Sequence, residues 1–177
     1  MINQGFDPFR DRLSRDIRND LSESLLTCLR EHNLTAAQTV ANRYLAGERA
    51  PCHAAYIHAR LDRYDRFLTL VEGGPADVLW KGLVLWDLGL FFEVHEILEH
   101  AWLRAAGEEK TFLQALIRAA GVYIKQEFGF GDAAAKMAAK ALPILEANRH
   151  RLGVYTDPER LLSALGSPHE KPPFLLH

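Results

Sequence analysis

Few features of this sequence assign it to a specialised class of protein. Only two of its 177 residues are cysteines, Cys28 and Cys52, and they lie far apart, outside any common metal-ligand spacing. Lysine and arginine number 21 against 23 acidic residues, so the formal net charge is −2. This balance lacks the basic excess that nucleic-acid-binding and membrane-binding proteins usually carry. We therefore expect no nucleic acid as a partner.

Long apolar runs are also missing. The longest, residues 78–92, is interrupted by Lys81, Asp87 and two glycines, which argues against a membrane span. The first ten residues, MINQGFDPFR, lack the apolar stretch of a secretory signal. The resulting expectation is a cytoplasmic protein with reduced thiols and no membrane contact.

Helical spacing of apolar residues dominates what the sequence does contain. From about residue 9 to residue 30, apolar side chains recur every three or four positions, beginning with Phe9, Leu13 and Ile17. No segment shows the alternation typical of a strand. Further helices are predicted over about 35–45, 51–71, 76–88, 90–105, 110–128, 131–148 and 157–165. The sequence therefore predicts an all-α protein, a multihelical bundle with an N-terminal helical extension.

Glycine and proline mark the main boundary in the chain. Residues 72–77 read EGGPAD, and two glycines followed by a proline cannot continue a helix. We predict an N-terminal extension over residues 1–75 and a bundle domain over residues 76–168. The end of the chain, SPHEKPPFLLH, contains three prolines, which predicts an extended tail over residues 169–177.

One predicted helix mixes large apolar side chains with ionisable ones. Residues 91–102 read FFEVHEILEHAW, and their ionisable members are Glu93, His95, Glu96, Glu99 and His100. At about 100° per residue these groups do not collect on one face, so cover is expected on both sides of the helix. A covered carboxylate must be hydrogen-bonded, protonated, paired or metal-bound, because an uncompensated buried charge costs several kcal/mol. The pattern therefore indicates a polar site.

Three interpretations of this helix stay open. In the first, which the residues favour, His95 pairs with Glu99. Glu96 then reaches Arg118 or Lys125 on the next helix and holds the two helices in register. In the second, the polar side chains form a ligand-binding or catalytic pocket. In the third, two of them bind a metal, but the HExxH, HxxEH and ExxH patterns are all absent, so neither a metal nor another cofactor is expected.

Two neighbouring residues complete the candidate site. Trp102 ends the polar helix and is interpreted as a packing anchor rather than a platform for a ligand. Gln114 lies in the otherwise apolar stretch FLQALIRAAGVYI, and its amide must find hydrogen-bond partners, so we expect it to bond to the polar helix. No catalytic role is assigned to any single residue. The candidate polar site comprises Glu93, His95, Glu96, Glu99, Trp102 and Gln114.

These residues resemble a bacterial and archaeal helical family known as domain of unknown function 309. The resemblance extends over about residues 76–165. It rests on FFEVHEILEHAW (91–102), FLQALI (112–117), DAAAKMAAKALPIL (132–145) and LGVYTDPERLLSAL (152–165). It implies a compact multihelical bundle with the polar helix at its centre, and it implies no established reaction. His100 departs from the family pattern, and the first 75 residues lie outside the resemblance.

The sequence is thus interpreted as a small helical binding or interaction module, with an unidentified protein or small molecule as its partner. Its Glu/His cluster would organise the bundle and could line a pocket. The alternative is a hydrolase-type enzyme, with or without a metal ion. There, one of the glutamates 93, 96 and 99 would act as a base toward water, with His95 as its proton partner. The residues leave open whether the chain is an enzyme, and they permit a homo-oligomer.

Overall fold

The computed structural model describes residues 5–47, 50–167 and 171–176, which form nine α-helices and no β-strand. The helices are α1 (Arg12–Glu31), α2 (Thr35–Leu45), α3 (Pro51–Val71), α4 (Val78–Asp87), α5 (Phe91–Trp102), α6 (Gly107–Glu127), α7 (Gly131–Ala147), α8 (Arg149–Leu152) and α9 (Pro158–Gly166). The all-α prediction is confirmed. Among the described residues, no helix combines the length and the apolar character that a membrane span requires.

The chain divides into two compact units, Met1–Gly74 and Pro75–His177. The first contains helices α1 to α3 and the second contains α4 to α9. The predicted end of the bundle domain, residue 168, lies outside the described residues, as do residues 169, 170 and 177 of the predicted tail.

In the first unit, α1 packs against α2 and α3. The helix begins later than residue 9, where the apolar spacing starts, because residues 8–10 form a turn. Asp11 is the capping residue, and its carboxylate accepts hydrogen bonds from the backbone amides of Leu13 (3.3 Å) and Ser14 (2.8 Å). These bonds satisfy two of the amides that the first turn of a helix leaves without partners. The largest fully buried side chains of the unit are Phe6, Ile17, Leu21, Ile57, Tyr64 and Phe67.

In the second unit, α6 packs against both α5 and α7. Small residues permit a close approach, because Ala115, Ala119 and Ala120 are fully buried on α6. At Gly121, an added Cβ would lie 2.3 Å from Cε of Met137 on α7. The small side chains of α6 therefore allow α7 to pack directly against its backbone.

A tight turn joins α4 to α5 and fixes where the polar helix starts. Gly89 has a φ of 68°, a left-handed conformation that glycine adopts without steric cost. The Gly89 amide donates to the Trp86 carbonyl at 2.8 Å, and the Leu90 amide donates to the Leu85 carbonyl at 2.9 Å. These bonds satisfy the last carbonyls of α4 and reverse the chain, so α5 packs against α4.

Residues 171–176 are not helical, and they pack on α4. The two carboxylate oxygens of Asp87 accept hydrogen bonds from the backbone amides of Leu175 (2.6 Å) and Leu176 (2.9 Å). The indole nitrogen of Trp86 donates to the Pro173 carbonyl at 3.0 Å. The Leu175 side chain is only 1% exposed. These last residues therefore contribute to the core of the second unit.

We predict that Leu175→Ala lowers the free energy of unfolding of the second unit by about 2–4 kcal/mol, because a buried leucine is removed and a cavity is left. Phe174→Ala is the matched control, since the Phe174 side chain is 65% exposed, and its effect should stay within about 0.5 kcal/mol. The three tryptophans, Trp80, Trp86 and Trp102, all lie in this unit. Urea unfolding followed by tryptophan fluorescence therefore reports on it alone, and equal losses in both variants would contradict the docked tail.

Candidate functional site

The polar residues of α5 fall into two groups by burial. Glu93 is 1% exposed and shares the covered face of the helix with three buried apolar residues, Val94, Ile97 and Leu98. The side chains of His95, Glu96 and Glu99 retain 33%, 30% and 45% exposure. Cover is therefore complete at Glu93 and only partial at the other three residues.

His95 joins the two partly exposed glutamates, and His95, Glu96 and Glu99 are called the α5 cluster below. The Nδ1 atom of His95 lies 3.3 Å from Oε1 of Glu96 and 3.8 Å from Oε2 of Glu99. The His95 ring also stacks on the Phe92 ring, with 6.2 Å between the ring centroids. Helix geometry explains the meeting, because residues four apart share a face and the Glu96 side chain is long enough to reach its neighbour.

The α5 cluster does not link α5 to α6 through an ion pair among the described residues. Glu96 contacts His95 of its own helix instead of Arg118 or Lys125 of α6. Lys125 has its ammonium group 5.0 Å from the centroid of the Phe130 ring. The prediction that Glu96 pairs with Arg118 or Lys125 and so holds the two helices in register is therefore wrong.

The remaining members of the predicted site do not join the α5 cluster by hydrogen bonds. Trp102 is half-buried at the end of α5, and the ammonium group of Lys110 lies 4.5 Å from its ring centroid. Gln114 is half-buried on α6 and takes no part in the hydrogen bonds of the cluster. Its predicted bond to the polar helix is not formed. The packing role of Trp102 stays a prediction.

The α5 cluster has the donor set of a metal site. One ligand atom from each of His95, Glu96 and Glu99 lies within 4.8 Å of the other two. Histidine nitrogen and carboxylate oxygen bind zinc and related ions at about 2.1 Å, so neighbouring ligands around such an ion lie about 3.0–3.4 Å apart. The His95–Glu96 separation of 3.3 Å lies in this range, whereas the His95–Glu99 separation of 3.8 Å exceeds it. The same contacts place His95 and Glu96 within reach for proton transfer.

A further polar group lies in the first unit, and the sequence did not indicate it. The Ser14 hydroxyl donates to Oδ2 of Asp11 at 2.6 Å, and Nε2 of His53 lies 3.2 Å from both of those oxygen atoms. Ser14 is fully buried and His53 is 8% exposed. His53 is separated from Ser14 by 39 positions, so no spacing rule could have paired them.

These are the residue types of a hydrolytic triad in a different arrangement. In a triad, the histidine contacts serine through one ring nitrogen and the carboxylate through the other. Here both contacts converge on Nε2 of His53, and the burial of Ser14 excludes a substrate from its hydroxyl. Hydrogen bonds from the Ser14 hydroxyl and amide, with a smaller contribution from His53, lower the pKa of Asp11 to about 2. The group therefore stabilises the start of α1.

We predict that Asp11 makes the first unit sensitive to acid. Because its pKa falls from 3.8 to about 2 on folding, its contribution to stability is complete above about pH 4 and is lost as the pH falls toward 2. Protection of the α1 amides from hydrogen exchange should fall over that range, and less so in Asp11→Asn. Asp16→Asn, which removes a partly exposed carboxylate of the same helix, should keep the full acid response. An unaltered acid response in Asp11→Asn would refute the assignment.

A family model matches the part of the chain that carries the α5 cluster. The family, described as Domain of unknown function (DUF309), matches residues 79–137. The matched region runs from α4 into α7 and includes all of α5 and α6. It confirms the resemblance seen in the sequence, while residues 76–78 and 138–165 of that resemblance lie beyond the match. No curated protein and no solved structure matches the chain.

Proposed function

We propose that the second unit, whose residues 79–137 belong to the domain of unknown function 309 family, is a small binding module with the α5 cluster as its ligand-facing site. The family description assigns no reaction. One geometric observation supports a binding role. The charged members of the α5 cluster form ion pairs only with one another among the described residues, and each remains partly exposed.

Ion pairs such as those of the α5 cluster contribute little to the stability of the folded unit, which favours a role in ligand binding instead. Partly exposed ion pairs contribute about 0–1 kcal/mol, because solvent screens the charges and ordering the side chains costs entropy. Two charged carboxylates with oxygen atoms within 4.8 Å of each other also repel each other. A ligand that carries positive charge or hydrogen-bond donors would gain from both glutamates at once. The ligand in this proposal is a small molecule or a protein with such groups.

We predict that the double change Glu96→Gln and Glu99→Gln alters the free energy of unfolding of the second unit by no more than about 1 kcal/mol. Urea unfolding followed by tryptophan fluorescence measures it. Leu98→Ala, on the covered face of the same helix, is the positive control and should cost about 2–5 kcal/mol. A loss of about 3 kcal/mol or more in the double variant would show a structural network and would contradict the ligand-facing role.

A second function, that of a metal-assisted hydrolase, is favoured by the three ligand atoms within 4.8 Å. A divalent ion, if held by His95 and Glu99, would supply Lewis-acid activation of a water molecule. Glu96, the other carboxylate of the α5 cluster, would then accept the proton of that water. This function needs both the ion and an accessible substrate.

Zinc titration of the full chain by calorimetry separates the two functions. For the hydrolase, we predict one zinc ion per chain, loss of that binding in Glu99→Gln, and zinc-dependent release of nitrophenol from p-nitrophenyl phosphate. Glu108→Gln, an exposed carboxylate on α6, is the control and should leave both readouts unchanged. Zinc binding that Glu99→Gln does not affect, or the absence of turnover with zinc bound, would contradict the hydrolase and leave the binding module in place.

A further inference from the structure

The second unit contains a cavity of about 230 Å³ whose lining includes no residue of α5. Its walls come from the start of α4, the first turns of α6, the short helix α8 and the loop that follows α8. Buried apolar side chains, Leu79, Phe112 and Leu113, cover one part of the wall. Val154, which is 67% exposed, adds an apolar side chain that solvent reaches.

Arg151 lines this cavity without an ion-pair partner among the described residues. Its guanidinium carbon lies 5.7 Å from the centroid of the Phe112 ring, and its Nε atom is buried without a hydrogen-bond acceptor. Arg149, on the same short helix, instead pairs with Glu146 and Glu159. A buried charged donor without an acceptor is unfavourable. The terminal Nη groups of Arg151 form no hydrogen bond with the described residues, and a carboxylate in the cavity would pair with them, because its two oxygens match the paired N–H groups of a guanidinium.

Two carboxylates line the same cavity and restrict what an anionic ligand can be. Asp77 is already engaged, because it accepts hydrogen bonds from the Leu79 amide (2.9 Å) and the Tyr155 hydroxyl (2.8 Å). The bond to Asp77 raises the pKa of the Tyr155 hydroxyl above its ordinary value. Glu109 is exposed in the first turn of α6 and has no ion-pair partner among the described residues. These charges disfavour a multiply charged anion and favour a ligand that also carries an ammonium group.

We propose that this cavity binds a free α-amino acid with an apolar side chain. The ligand's carboxylate accepts hydrogen bonds from Arg151, and its ammonium group pairs with Glu109. Its side chain contacts Leu79, Leu113 and Val154. The cavity volume of about 230 Å³ is below the volume of about 300 Å³ or more that ligand pockets usually have. The cavity therefore admits only a ligand as small as a single amino acid. The site uses no residue of the α5 cluster and does not depend on the function proposed for it.

L-Leucine is the probe for the full chain, followed by heteronuclear amide NMR. Isocaproate lacks the ammonium group of leucine, and isoamylamine lacks its carboxylate. We expect leucine to shift the amide signals of Leu113, Val154 and Tyr155 saturably, and each analogue to bind about tenfold or more weakly. An analogue that binds as tightly as leucine, or displacement of leucine by inorganic phosphate, would overturn the proposal.

Matched variants test the two charged contacts separately. Arg151→Gln should abolish the leucine shifts, whereas Arg149→Gln should leave them unchanged, because Arg149 already pairs with two glutamates. Glu109→Gln should weaken leucine binding and leave the weak binding of isocaproate unchanged. Glu109 is exposed, so this second variant tests the site independently of any effect of Arg151 on the folding of α8. Leucine binding that neither variant reduces would overturn the proposal.

Discussion

The burial of one apolar face, formed by Val94, Ile97 and Leu98, fixes how α5 sits in the second unit. Glu93 is 1% exposed on the same face. Burying the apolar side chains is favourable, whereas a carboxylate in such a position is costly unless the fold compensates it. Turning α5 to cover the α5 cluster would expose that apolar face. The cluster therefore stays partly open to solvent.

The helices could be predicted largely from the sequence because their limits depend on local chemistry. Gly89 turns the chain after α4 through its positive φ, and Pro51 and Pro158 begin α3 and α9 as expected. The predicted start of α1 at about residue 9 was too early, because Asp11 caps a helix that begins at Arg12. Helix α8 was missed, since its four residues are too few to show a period.

The candidate site could be predicted only where it depends on helix geometry alone. The positions of His95, Glu96 and Glu99 on one helix bring them together whatever the rest of the fold does. The partner of Glu96 and the surroundings of Gln114 depend on the packing of α6, which sequence spacing does not report. Tertiary packing likewise assembles the cavity at Arg151 and the contact between Ser14 and His53 from distant positions.

Carboxyl labelling of the folded chain tests the division of α5 into a covered and an open side most directly. Carbodiimide coupling to glycine ethyl ester, followed by peptide mass spectrometry, measures how fast each glutamate reacts. We expect Glu96 and Glu99 to react at rates comparable to the exposed Glu108, and Glu93 to react about tenfold or more slowly. Equal rates for Glu93 and Glu99, or protection of Glu96 and Glu99, would contradict this division.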